Sequence, residues 1–480
     1  MKSRRIIMAI FIVLVAASII YGLMDHRKYT TSSDKAYQAC LRGEEYMYRL
    51  YQREALDEFE QALKLDPNFA MAHARAAMMY KSFSRDAEYE AAKQKALGQI
   101  GRLKEKERLL INLWFAQADR RQGDVEKHSA ELIKKYPNSL EALEYETDIF
   151  FRDRKFSEAI GQIEKLIEKY PNHAPSYNLL GYSYFYVGEY DKALASIDKY
   201  SSLAQDQANP HDSHGELLLY MGRYDEALTQ FRMADSIKPG LHFVMEHIGS
   251  VYRAKGMYRD AIGAYLKAAE LSLNRETKAN IEASAAVAYF ESGQTEKAVE
   301  VLKETVAREP ENLRSQAILG GIYAEKGRME DALIQLGVVR GLTAQMLSSP
   351  AYKSVPAVNI KSAEQYLAGA IDMAKGDYRA ASEKFSQLAR EMSPSDNLLY
   401  ASLWAESYIK AQLPDSAIAI LTDALTRNPN NERCLRTLAQ AYGQAGKKDA
   451  QQSVLTRYLT VMKDADEGAP GVQIASAMMQ

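Results

Sequence analysis

Four of the eight histidines, His211, His214, His242 and His247, fall in one stretch of the chain with Asp212 and Glu216 among them. Imidazoles three residues apart share one face of a helix, and metal sites use that spacing. The periodicity of the surrounding sequence argues for another role. Set back by 34 residues, His211 and His214 fall on Tyr177 and Leu180, positions that face the preceding repeat. Both are therefore expected as packed, hydrogen-bonded side chains, and no metal is expected. No Gly-rich phosphate loop, Gly-x-Ser-x-Gly elbow, His-Glu-x-x-His or Cys-x-x-Cys occurs. The sequence thus nominates no catalytic residue and no cofactor, and the expected protein is not an enzyme.

Charge and cysteine content narrow the classes further. The chain of 480 residues has a net charge of -2, so no global field draws it onto nucleic acid. Nothing in it points to a small-molecule substrate. Cys40 and Cys434 lie at opposite ends of the sequence, too few for a disulfide framework or a cysteine metal site. The run Lys104 to Arg108 and the pair Lys134 and Lys135 read as solvated helix faces with i to i+4 pairing.

The elements that would position any site are set by a repeat. Gly181, Gly215 and Gly249 are 34 residues apart, as are Gly188, Gly222 and Gly256, Tyr190, Tyr224 and Tyr258, and Ala193, Ala227 and Ala261. Between them stand aromatics such as Tyr184, Tyr252 and Tyr289 and large apolar residues at Ile197, Phe231 and Tyr265. A small residue lets two helices cross closely, aromatics fill the wedge between helices, and the second-helix Ala sits where a branched side chain has no room. This pattern resembles the tetratricopeptide (TPR) repeat. The resemblance implies an all-α superhelical solenoid of about eleven or twelve helix-turn-helix units.

It also implies where binding occurs, because in such repeats the first helix of each unit lines the concave surface. Carried onto this sequence, that geometry nominates Asn178, Tyr182, Phe185 and Tyr186, then Glu216, Leu219 and Tyr220, then Phe243, Glu246 and Arg253, and lastly Phe290. The expected ligand is a protein or peptide partner, with aromatic rings as its anchors. The alternative is that superhelical twist buries several of these rings against neighbouring helices. A carboxylate clamp for chaperone tails needs paired Lys and Asn on adjacent first helices, which this sequence lacks, so that ligand is disfavoured.

Along the chain, residues 1–5 form a basic tail and Ile6 to Met24 run uncharged for nineteen residues, nearly the length that spans a bilayer. An uncleaved transmembrane helix is expected there, with the short basic tail in the cytoplasm and the repeats outside. A secretory signal cleaved near Ala16-Ala17-Ser18, leaving a soluble periplasmic protein that assists envelope export or assembly, is the alternative. Residues 25–35 read as a juxtamembrane linker and 36–336 as the main solenoid, with its second and third units irregular. An interruption at 337–361, holding Pro350 and Pro356, should be the weakest point of the stack. A further block of repeats occupies 362–463, and the Gly/Ala/Pro-rich 464–480 reads as a disordered tail. The opening segments also look like the extracytoplasmic TPR regions of bacterial sensor proteins. Without a cytoplasmic effector, only the sensing or scaffolding half would be implied.

Overall fold

The computed structural model describes residues 27–353, 355–392 and 394–480, with the side chains of 394–396 left aside. Helices and their connecting turns make up these residues, with no strand among them. The helices are α1 (Asp34–Tyr48), α2 (Gln52–Leu65), α3 (Ala70–Ser82), α4 (Asp86–Gly98), α5 (Glu105–Ala118), α6 (Gln122–Lys135), α7 (Leu140–Arg152) and α8 (Phe156–Lys169). There follow α9 (Ala174–Tyr186), α10 (Tyr190–Leu203), α11 (Ala208–Tyr220), α12 (Tyr224–Ile237), α13 (His242–Ala254), α14 (Tyr258–Leu271), α15 (Arg275–Glu291) and α16 (Thr295–Arg308). The last are α17 (Leu313–Glu325), α18 (Met329–Ser348), α19 (Ala357–Lys375), α20 (Tyr378–Glu391), α21 (Pro394–Lys410), α22 (Pro414–Arg427), α23 (Glu432–Gln444), α24 (Lys448–Val461) and α25 (Pro470–Met479). Successive helices pack as pairs from α1 with α2 through α3 with α4, and from α7 with α8 through α23 with α24, and α25 closes the series. Ser33, Ser139, Asn274, Asn312 and Asn431 cap first helices by accepting from backbone N–H groups that the helix leaves unpaired.

Each pair turns through one left-handed residue. Gly188, Gly222 and Gly256 have φ of 85°, 76° and 72°, the conformation that a Cβ disfavours. Where the sequence pattern fades, a non-glycine takes the same conformation: Ser84 at 56°, Arg120 at 55° and Arg154 at 59°. The irregular second and third units therefore keep the turn and accept its strain.

The close helix crossing is equally regular. A Cβ on Gly43 would lie 2.5 Å from the Phe59 ring, on Gly215 2.7 Å from Phe231, on Gly249 2.9 Å from Tyr265, and on Gly369 2.8 Å from Phe385. Each of these rings is essentially inaccessible to water. The glycine thus makes room for a ring sixteen residues later, which fills the gap between the paired helices.

The chain divides into two compact units. The first comprises the described residues up to Asp119 together with Gly123–Tyr136, and the second Arg120–Gln122 with Pro137–Gln480. In the first, Cys40, Phe59, Phe69, Met71, Tyr89, Ile111 and Phe115 form one core.

The expected domain limits need three corrections. The linker foreseen at 25–35 is packed from Arg27 onward, with Tyr29 only 2% exposed. The interruption at 337–361 is largely helical, since α18 runs on to Ser348 and α19 begins at Ala357. Leu336, Val339 and Thr343 form a buried stripe that offsets the helix penalty of Gly337 and Gly341. α17 also packs directly on α19, with Leu367 against Gly320, so the repeat core crosses this stretch. Finally, the tail expected to be disordered at 464–480 holds α25, whose small residues Gly471 and Ala475 are buried in the core around α24. Composition suggested a solvated tail, whereas small residues spaced four apart allow close helix approach.

Among the described residues no helix is long and apolar enough to cross a membrane. The span expected at 6–24 lies outside the described residues.

Candidate binding face

The nominated residues stand on α9, α11, α13 and α15, the first helices of four successive pairs in the second unit. The 34-residue offset sets them in rows: Asn178, Asp212 and Glu246 occupy one register position, Tyr182 and Glu216 the next, and Tyr186 and Tyr220 another. None of the nominated side chains is fully exposed.

The rings separate into two groups. Phe185, 4% exposed, meets Tyr186, Tyr190 and Tyr220 at centroid distances of 5.7, 5.5 and 5.7 Å. Tyr186 in turn stacks on Phe156 at 4.4 Å and meets Phe151 edge-on. Phe185 is therefore packed away from any ligand, as the twist alternative held, whereas Tyr186 is half-buried against the preceding pair. Tyr182 and Tyr220 pack on the same cluster, but their phenols both donate to Glu216, Tyr220 at 2.6 Å. Their hydroxyl edges define a polar stripe beside that cluster. Phe243 is half-buried, meeting His242 edge-on at 5.6 Å, and Phe290 lies 5.0 Å beneath the Lys326 ammonium.

The polar stripe is acidic. Asp212 is buried and accepts from His247 Nδ1 at 2.9 Å. Burial works against the imidazolium, but Asp212, with Glu216 and Glu246, overcomes it and pushes His247 up to about 10. Glu246 is half-buried with no hydrogen bond to its carboxylate, and burial holds that group above the ordinary carboxylate range despite His247 and Arg314. At the same register position two repeats before Glu246, Asn178 Oδ1 is buried without a hydrogen-bond partner. Buried acceptors left unpaired are costly. A ligand that donates to Asn178 removes that cost, and the Glu246 carboxylate on the same row offers a second acceptor.

Arg253 is committed within the protein. Its guanidinium lies 3.2 Å from Glu291, which also takes Arg433 from α23 at 2.6 Å. The sequence offered Arg253 to a ligand because the acid and the second arginine are remote in sequence.

The remaining histidines go to separate partners. His211 Nδ1 is 2.9 Å from Gln230 and His214 3.8 Å from Asp198, while burial pushes His242 down. Among the described residues no three His, Cys, Asp or Glu side chains gather as a metal site requires. Sequence reasoning missed Asp212 and His247 as a paired charge, although the register aligning Asp212 with Asn178 and Glu246 was available.

Family models described as the tetratricopeptide repeat match residues 163–195, 244–279 and 284–337. No curated protein matches the sequence. Among solved structures, the TPR domain of P58(IPK) is 18% identical, with 71% of this chain and 98% of that chain covered, at a TM-score of 0.23. A tetratricopeptide repeat protein from Parabacteroides merdae is 15% identical, with 57% and 100% covered, at 0.34. Yeast Tom70 is 13% identical, with 86% and 96% covered, at 0.40.

Proposed function

We propose, on the premise that this chain is a tetratricopeptide repeat protein, that it works without covalent chemistry by holding a partner polypeptide along the first helices of its central repeats. The observation that carries this reading is the buried, unpartnered Asn178 Oδ1, set on one row of the face with the half-buried Glu246 carboxylate. The chemistry of that row favours a segment presenting Lys, Arg or amide donors. Tyr182, Tyr220 and Phe243 supply apolar area beside it at small entropic cost, since repeats that are already stacked need little ordering on binding.

The reading also places the chain at a membrane, tethered by Ile6 to Met24 with the repeats on the outer, periplasmic side. Carbonate and high-salt washes of membranes should leave the full-length chain in the pellet. Recovery of most of it in the supernatant with a new N-terminus near Ile19 would contradict the tether and leave the binding reading standing.

Binding is tested by Glu246→Gln and Tyr220→Ala in the full chain. Each should weaken the partner complex by about 2 kcal/mol if the residue is an anchor. Unchanged affinity in both variants, with helicity retained, would sink the proposal. Protonation supplies a second readout. Glu246 loses its charge at a higher pH than an ordinary glutamate, so affinity should fall on mild acidification, and Glu246→Gln should flatten that dependence.

A further inference from the structure

The residues just before α1 form no helix, yet they are bound in detail. Tyr29 enters the first unit, and its phenol donates to Glu44 Oε1 at 2.6 Å. Glu44 is itself buried and also receives Arg75 Nε at 2.9 Å and Lys28 Nζ at 3.2 Å. The Arg75 guanidinium is fixed from its other side by the Trp114 ring, 3.8 Å away. One residue on, the backbone N–H and the hydroxyl of Thr30 both donate to the Glu107 carboxylate, at 3.0 and 2.7 Å. Thr31 then donates to Asp66 at 2.6 Å, and Lys104 reaches back to the Arg27 carbonyl at 3.2 Å.

The groups that hold this segment come from α1, α3 and α5, the first helices of three consecutive pairs, and from the loop between α2 and α3. Successive residues Tyr29, Thr30 and Thr31 each meet a different carboxylate. Two of these acids, Glu44 and Glu107, are only 6% and 2% exposed. Buried carboxylates are tolerated where a donor meets them, and here most of those donors belong to the segment. Arg75 and Lys28 hold Glu44 below the ordinary carboxylate range against its burial.

We propose that the inner face of the first unit is a recognition site for an extended peptide of the form cation-Tyr-Thr-Thr. Lys28 to Thr31 is its resident occupant, and a partner polypeptide carrying the same chemistry binds by displacing it. The phenol is selected by Glu44 and the threonine by the two acceptor oxygens of Glu107. Because the occupant is joined to the site, its effective concentration is on the order of millimolar, so a foreign segment gains entry only when the resident is released. The site is separate from the face on α9 to α15, and its test is independent of that reading.

The probe is a fluorescent synthetic peptide, Arg-Lys-Tyr-Thr-Thr-Ser, titrated by anisotropy into the full chain and into a full-chain Tyr29→Ala/Thr30→Ala variant. The variant should bind at least about tenfold more tightly than the parent, and a peptide with Ala for Tyr should lose about tenfold or more. A variant with native circular dichroism that fails to bind, or that binds both peptides equally, overturns the proposal. A second measurement needs no variant. A peptide that keeps its Tyr and carries benzoylphenylalanine after its C-terminal Ser, at millimolar concentration with the unaltered chain, should cross-link within α1, α3 or α5 on irradiation. Adducts confined to other helices, or none at all, overturn it equally.

Discussion

At the scale of single residues, the buried charges of the second unit make a pH prediction. His247 pairs with Asp212, and its folded value of about 10 stands above the roughly 6.5 of an unfolded histidine. A raised value means stability that is fully present below about pH 6.5 and lost as the pH rises toward 10. Thermal unfolding of the full chain should therefore show a midpoint that declines between neutral pH and pH 10, and Asp212→Asn should flatten that slope. A parent whose midpoint does not change across this range would show that the pair contributes nothing. His211, whose register marked it for a hydrogen bond, meets Gln230. The pairing of His247 with Asp212 was not legible, because the two belong to different repeats and nothing local marks the pair.

Among elements, the glycine at each crossing sets two effects against each other. Gly215→Ala should stabilise α11 by about 1 kcal/mol from helix propensity alone. A Cβ there would lie 2.7 Å from the Phe231 ring, and overpacking of that kind costs about 1 to 3 kcal/mol. Urea unfolding should find the variant destabilised, and adding Phe231→Leu should recover part of the loss because the smaller side chain can withdraw. A gain in stability from Gly215→Ala would mean that the ring moves aside at no cost. This crossing was legible because glycine, alanine and ring recur at a fixed spacing. The turns at Ser84 and Arg120 were not, since each adopts a glycine-like φ with a residue that gives no sign of it. α18 and α25 were missed for a related reason. Pro350 and Pro356 and the Gly/Ala/Pro-rich composition of 464–480 argued against helix, whereas Val339, Thr343 and Ala475 are buried by neighbours that the sequence does not place.

For the molecule as a whole, the second unit is held by contacts between residues far apart in the chain. Asn430 donates to the carbonyl of Gly222 at 3.0 Å, the Asp466 N–H donates to that of Gly256 at 3.0 Å, and the Asp466 side chain accepts from the Arg259 N–H at 2.9 Å. Lys255, almost fully buried, lies between Asp225 at 2.5 Å and Asp464 at 2.9 Å. The turns of the central repeats are thus capped by residues from the last repeats and the segment beyond them. A 34-residue period cannot reveal this closure, because it reports only neighbours. Limited proteolysis should cut first in the connection between α18 and α19, whose described residues hold only one short turn of 3₁₀ helix, Pro350–Tyr352. The two fragments should still elute together in size-exclusion chromatography, and their separation would mean that these contacts do not hold the unit.

Partner binding is assigned to two adjoining rows, Asn178 with Glu246 and Tyr182 with Glu216. Its most direct test is site-specific photo-cross-linking in intact cells, with benzoylphenylalanine placed in turn at Tyr182, Tyr220 and Phe243 and, on second helices, at the exposed Met233 and Leu266. One common partner adduct is expected from the three first-helix positions, reduced about tenfold by Glu246→Gln and absent from the two second-helix positions. Equal adducts from Met233 and Leu266, or adducts indifferent to Glu246→Gln, would contradict it.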